Sequence, residues 1–238
     1  DTLIVGQCIG AGALAAVGSA YTLMVFLISV LLGLAMGSGT VFSLHYGAGN
    51  HVALRRSIFS SFVLIGIVTL ILNVAVFIWL DPILRLLQVP QDIYGMMRSY
   101  LWIIFCGIVF TFIYNFYASL LLAVGDSVTP LWFLAVSVVL NIALDLFFIL
   151  QLDWGIQGAA AATVLAQGVA ALGIIIYTYR RRPELRWHHE DMCFDRTCLK
   201  EIASFSTLTC VQQSVMNLGI LMVQGLVNSF GTAVMAAF

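Results

Sequence analysis

Charge is what this sequence lacks most. Lys, Arg, Asp and Glu make up 9% of its 238 residues and hydrophobic residues 62%, whereas a soluble domain carries about 25% charged residues. That scarcity excludes a globule solvated by water and points to a chain solvated by lipid. The 10 basic and 11 acidic residues leave a net charge of −1, and no basic domain exists to hold nucleic acid. Cysteine is sparse as well. Cys8, Cys106, Cys193, Cys198 and Cys210 form no disulfide framework; two share one polar loop and the others read as small apolar fillers. No Asn-x-Ser/Thr glycosylation site is present. Together with the missing outer disulfide, this ranks a seven-helix receptor last.

Long apolar runs are what the sequence has instead. Six stretches reach the ~20 residues needed to cross the hydrocarbon as a helix: Ala13–Leu44, Phe59–Leu80, Leu101–Val124, Leu131–Leu152, Gly155–Tyr179 and Ile202–Val227. Helix is the only open-chain solution there, because lipid offers backbone amides no partners. The expected fold is therefore all-α and polytopic. Asp145 is the only charged residue inside the six stretches. The chain opens on Asp1 without an initiating Met, with a stretch too short to span, and stops at "GTAVMAAF". It reads as an internal piece of a longer protein.

Strict alternation of sides puts Arg55, Arg56, Arg180, Arg181, Arg182, Arg186, Arg196 and Lys200 together, with only Arg85 and Arg98 opposite. The positive-inside rule makes the richer side cytoplasmic. Asp81, Asp92 and Asp153 then face outward. The one long connection, "YRRRPELRWHHEDMCFDRTCLKE", is about 23 residues of polar chain and is expected to link two helical bundles. Its Arg cluster and Trp187 suit anionic headgroups, although topology anchoring explains the cluster more simply. His188, His189, Cys193 and Cys198 have the donor types for zinc but not the paired-ligand spacing. Gly33 and Gly37 have GxxxG spacing, which fits a dimer face or packing within the chain equally well. "HYGAGN" lacks the Lys and Ser/Thr of a phosphate loop and reads as a tight cytoplasmic turn.

Polar residues recur four apart in several spans, which places them on single helix faces. The lines are Ser137, Asn141 and Asp145; Thr111, Asn115 and Ser119; Thr209, Gln213 and Asn217; and Thr163 with Gln167. Four such lines imply a shared polar interior. Asp145 decides the matter. It lies roughly 7–8 Å inside the outer end of its span at ~1.5 Å per residue, too deep for one methylene to snorkel. Holding it ionised in lipid would cost on the order of 2.5–3.5 kcal/mol. A carboxyl at that depth exchanges between a protonated and an ion-bound form, the chemistry of a coupling site. A capped or paired structural Asp is the bland alternative.

"DTLIVG" with "ALAAVG", "GLAMGSGTVFSLHYGAG", "YNFYASLLLAVGDSVTPL", "LNIALD" and "GAAAATVLAQ" together resemble the multidrug and toxic compound extrusion (MATE) family. The "NxxxD" line and the "GDSxTP" turn look most like its DinF-like branch. The resemblance covers nearly the whole chain. It implies a twelve-helix, two-lobe antiporter, of which this truncated piece holds most of the six-helix N-lobe. On that basis residues 1–179 are the N-terminal lobe, 180–201 a cytoplasmic inter-lobe loop and 202–238 the start of the C-terminal lobe. A weak echo between 10–17 and 231–238, with identities at Gly10/Gly231, Ala15/Ala236 and Ala16/Ala237, fits a repeat. The family's cation site carries over to Asp1, Asn141, Asp145 and Thr163; Asp1 enters through the resemblance alone. Leu122, Leu146 and Ser206-Thr207-Leu208 depart from the family's Arg, Pro and Gly-x-Pro.

The function expected is export of organic, often cationic, compounds across the cytoplasmic membrane by a monomer coupled to H⁺ or Na⁺. Tyr114, Asn115, Gln167, Gln213 and Asn217 are expected to line the substrate cavity. No other cofactor or metal is expected, and the protein is not read as an enzyme. A lipid-linked oligosaccharide flippase would need a cationic cavity, but the spans contain no Lys or Arg. An intramembrane aspartyl protease would need two carboxylates at one depth. Asp126, in "AVGD", falls in a turn at the opposite leaflet from Asp145.

Overall fold

The computed structural model describes residues 2–86, 91–186 and 196–229, and they are helical almost throughout. The elements are α1 (Thr2–Cys8), α2 (Ala11–Gly47), α3 (His51–Leu86), α4 (Gln91–Cys106), α5 (Ile108–Ala123), α6 (Val128–Leu146), α7 (Gly155–Arg181) and α8 (Arg196–Ser229). A π-helical segment, Phe147–Gln151, extends α6, and a 3₁₀ turn, Pro183–Leu185, follows α7. Among the described residues, α2, α3, α6 with its extension, and α7 are each long and apolar enough to cross a bilayer. The pair α4 and α5 makes a fifth span, bent by 46° at Gly107. The sixth expected span is α8, long enough at 34 residues but less apolar because of Gln212, Gln213 and Asn217.

One boundary differs from the hydropathy. The third span begins at Gln91 rather than Leu101 and is broken, not straight. Its early start has a polar cause. The Tyr94 hydroxyl and the Arg98 Nε both donate to Asp81 Oδ1 at 2.8 Å, so the first turns of α4 are tied to the end of α3.

Two helices sit at the centre. α2 packs on α3, α4, α5 and α8, while α7 packs on α4, α5 and α6. Small residues permit the second arrangement. Ala159, Ala160, Ala162, Gly168 and Ala171 of α7 are buried, and small side chains let helix backbones approach where lipid supplies no hydrophobic drive. Around this centre Phe42, Phe105, Phe116 and Leu120 fill the core. The outside is apolar too: Leu70, Ile71, Ile78, Trp79, Leu131, Trp132 and Val139 are exposed. Water would penalise such a surface; acyl chains solvate it.

The GxxxG pair lies at the α2–α8 seam, which settles it as packing within the chain. A Cβ on Gly37 would stand 2.4 Å from Ser206 Cα, and one on Gly33 2.8 Å from Cys210 Sγ. At the same end Val41, Cys198 and Ile202 form a small apolar cluster, and His45 Nε2 lies 3.6 Å from Glu201 Oε2. "HYGAGN" is a tight turn, with α2 ending at Gly47 and α3 starting at His51.

The long connection is shorter than hydropathy suggests, because α7 runs to Arg181 and α8 starts at Arg196. Leu185 is buried and the Arg186 guanidinium donates to the Tyr179 carbonyl, capping the end of α7. His188, His189 and Cys193 lie outside the described residues. Cys198 is buried and accepts from the Ser57 hydroxyl at 3.6 Å. Among the described residues no cluster of three or more His, Cys, Asp or Glu could hold a metal.

Asp126 organises the α5–α6 turn. Its carboxylate accepts from the Thr129 N–H at 3.1 Å, the Thr129 hydroxyl at 2.9 Å and the Tyr177 hydroxyl at 3.3 Å, and Arg182 lies 3.8 Å away. Partial burial alone would raise its pKa. The Thr129 and Tyr177 hydrogen bonds and the Arg182 charge outweigh that and hold it below the usual carboxylate value.

Two outcomes are expected of the full-length protein. Gly37→Val should cost about 1–3 kcal/mol by overpacking the α2–α8 seam and lower the thermal midpoint in detergent, whereas Gly95→Ala, with nothing within 4 Å, should not. Because the folded Asp126 pKa lies below 3.8, its stabilisation is complete above that value and is lost as pH falls through the folded value. Asp126→Asn should therefore lower the midpoint at pH 7, with the gap to wild type closing on acidification.

Candidate functional site

Three of the four polar lines meet. Thr111, Tyr114 and Asn115 of α5, Ser137 and Asn141 of α6, and Thr163 and Gln167 of α7 border one cavity, and Ile28 of α2 supplies part of its apolar wall. Its volume is ≈ 330 Å³. The helices are stitched together across it. The Thr111 hydroxyl donates to Gln167 Oε1 at 2.5 Å, and the Asn141 amide donates to Thr163 Oγ1 at 3.3 Å. Within α5, the Asn115 amide donates back to the Thr111 carbonyl at 2.8 Å. The Tyr114 hydroxyl donates to the Pro130 carbonyl at 2.9 Å, pinning α5 to the start of α6.

Asp145 is 0% exposed. It lies one turn beyond Asn141 on the same face of α6, immediately before the backbone widens into the π-helical segment. The carboxyl is thus turned away from lipid. Asn141, Thr163 and Asp145 offer only hard oxygen donors, which suit a proton or Na⁺. Asp1 lies outside the described residues.

Two expected lining residues stand elsewhere. Gln213 and Asn217 are part-buried on α8, which packs on α2 and α3, while the cavity is walled mainly by α5, α6 and α7. Thr209 of the same line turns its hydroxyl onto the Phe205 carbonyl at 2.8 Å. Ser119 lies against Gly39 of α2 instead of bordering the cavity. Periodicity found neither the Ile28 wall nor Asn73, a buried amide in α3 that bonds the Phe105 carbonyl. Asn73 was visible only as a lone polar residue in "TLILNVAVFIWL".

These features define a polytopic helical membrane protein with an open cavity into which polar side chains of three helices converge. The MatE family matches residues 1–147, and the chain belongs to that family. It is 32% identical over 245 residues to "Probable multidrug resistance protein YpnP" of Bacillus subtilis (strain 168), covering 100% of this chain and 53% of that protein. It is 29% identical over 243 residues to "Probable multidrug resistance protein YoeA" of the same organism, covering 99% and 52%. The fold matches a crystal structure of MATE in the bent conformation with TM-score 0.89 at 22% identity, over 97% of this chain and 51% of that one. The chain spans about half the length of these relatives.

Hydration of the chamber is testable in a cysteine-free full-length protein. A thiol at Ser137→Cys should react with a charged, water-borne reagent about tenfold faster than one at the lipid-facing Val139→Cys, because the reactive thiolate needs water. Equal rates would mean that the chamber is dry.

Proposed function

We propose that the whole protein is an antiporter that exports organic, often cationic, compounds through the cytoplasmic membrane in exchange for H⁺ or Na⁺. In this reading Asn141, Asp145, Thr163 and Asp1 form the coupling site, and Tyr114, Asn115 and Gln167 meet the substrate. The observation that carries the proposal is the fully buried Asp145, one helical turn from the Asn141–Thr163 pair at the rim of a ≈ 330 Å³ chamber. A carboxyl in that place is costly to keep ionised without a counter-charge. Proton or Na⁺ occupancy would therefore favour one shape of the lobe and substrate the other, each by its differential affinity for the two shapes. The names of the Bacillus relatives as probable multidrug resistance proteins support the substrate class.

Residues 1–179 act in this reading as the first lobe, 180–201 as the inter-lobe connection and 202–238 as the start of the second. The excess of Arg and Lys supports a cytoplasmic side for that connection. The flippase alternative is not favoured, since among the described residues no Lys or Arg borders the chamber. Nor is a protease. Asp126 and Asp145 stand at opposite ends of the 19-residue α6, about 28 Å apart at ~1.5 Å per residue.

The deciding experiment is Asp145→Asn in the full-length protein. Dye efflux driven by a proton or Na⁺ gradient should disappear while expression and folding are retained. Efflux at the wild-type rate would remove Asp145 from the mechanism.

A further inference from the structure

The bend between α4 and α5 has a partner on a third helix. Asn73 of α3 is 9% exposed, at membrane depth, and its Nδ2 donates to the Phe105 carbonyl at 2.9 Å. Phe105 lies two residues before Gly107, where the two helices meet at 46°. The helical ladder is disturbed there, because the Gly107 N–H is shared between the carbonyls of Ile103 at 3.3 Å and Ile104 at 2.9 Å. A bend with no proline needs another cause, and carbonyls loosened in hydrocarbon need a donor from protein. Asn73 supplies that donor.

The bend also determines where α5 points. A Cβ on Gly107 would stand 2.5 Å from Val164 Cγ2, so α7 rests directly on the break. Four residues further on, Thr111 bonds Gln167 of α7 at 2.5 Å, and Tyr114 and Asn115 follow along the chamber wall. If α5 continued straight from α4, the direction of this polar face would change by 46°.

We propose that Asn73 is a positioning residue: by clamping the Phe105 carbonyl it holds the α4–α5 bend and so aims Thr111, Tyr114 and Asn115 into the chamber. Asn73 itself does not border the chamber. The functional consequence rests on the transport reading above, whereas the clamp itself does not.

The test separates the two. In the full-length protein, spin labels at Gly95 and Leu122, both exposed, bracket the bend. Relaxing 46° to a straight helix would lengthen their separation by about 3 Å at ~1.5 Å rise per residue. Asn73→Leu keeps the branched shape of the side chain, with more bulk, and loses the donor. It should lengthen that distance and raise the KM for an exported dye about tenfold, the worth of one net hydrogen bond, with the maximal rate changed less than about twofold. Asn73→Gln, which keeps a donor, should recover both readings. A wild-type distance in Asn73→Leu would overturn the clamp. A longer distance with an unchanged KM would overturn the positioning role. If the wild type exports nothing, the transport reading falls, and the label distance in Asn73→Leu still decides the clamp.

Discussion

Hydrocarbon supplies no hydrogen bonds, and the rest of this structure follows from that constraint. Isolated hydroxyls meet it locally: Thr69 and Thr178 donate to the carbonyls four residues back, at 2.7 and 2.8 Å. A side chain satisfied on its own helix imposes nothing on its neighbours. Bonds that cross between helices are different. Thr111 with Gln167, Asn141 with Thr163, and Asn73 with the Phe105 carbonyl each need a second helix in a fixed register. The first two join helices that border the chamber, and the third ties α3 to the α4–α5 bend.

Much of this was legible in the residues. The apolar runs located the spans because lipid demands about twenty greasy residues from every crossing, and i, i+4 spacing identified the lines of polar side chains that meet. Other features carry no local period. The bend at Gly107 depends on a donor in α3 and a valine in α7, neither of which marks the segment that bends. Gly33 and Gly37 advertise a close approach without naming the partner, and the partner lies about 170 residues downstream at Ser206 and Cys210. The line on α8 is a different case. Its spacing matches the others, but the helix packs on α2 and α3 and its described residues do not border this cavity.

Departures from the family pattern also have local answers. Where the resemblance expects proline after the site aspartate, the chain has Leu146, and the backbone leaves regular α-helix through a π-helical segment at Phe147–Gln151. Irregularity at the end of the Asp145 helix is thus retained by other means. About three turns into α8, Ser206-Thr207-Leu208 stands where the motif is expected; the Ser206 backbone lies against Gly37 while its hydroxyl donates to the Leu34 carbonyl at 3.3 Å.

The lengths of α2 and α3 have a further consequence. At 37 and 36 residues they run to about 55 Å at ~1.5 Å per residue, against a hydrocarbon slab of ~30 Å. Even leaning by the ~20° usual for membrane helices, they overshoot the slab by roughly 20 Å. That excess is shared between the ends of each helix, and in α3 it separates Arg55 and Arg56 near one end from Asp81 and Arg85 near the other by more than the thickness of the slab. At the Arg55 end, the His45 Nε2 lies 3.6 Å from Glu201 Oε2 of α8.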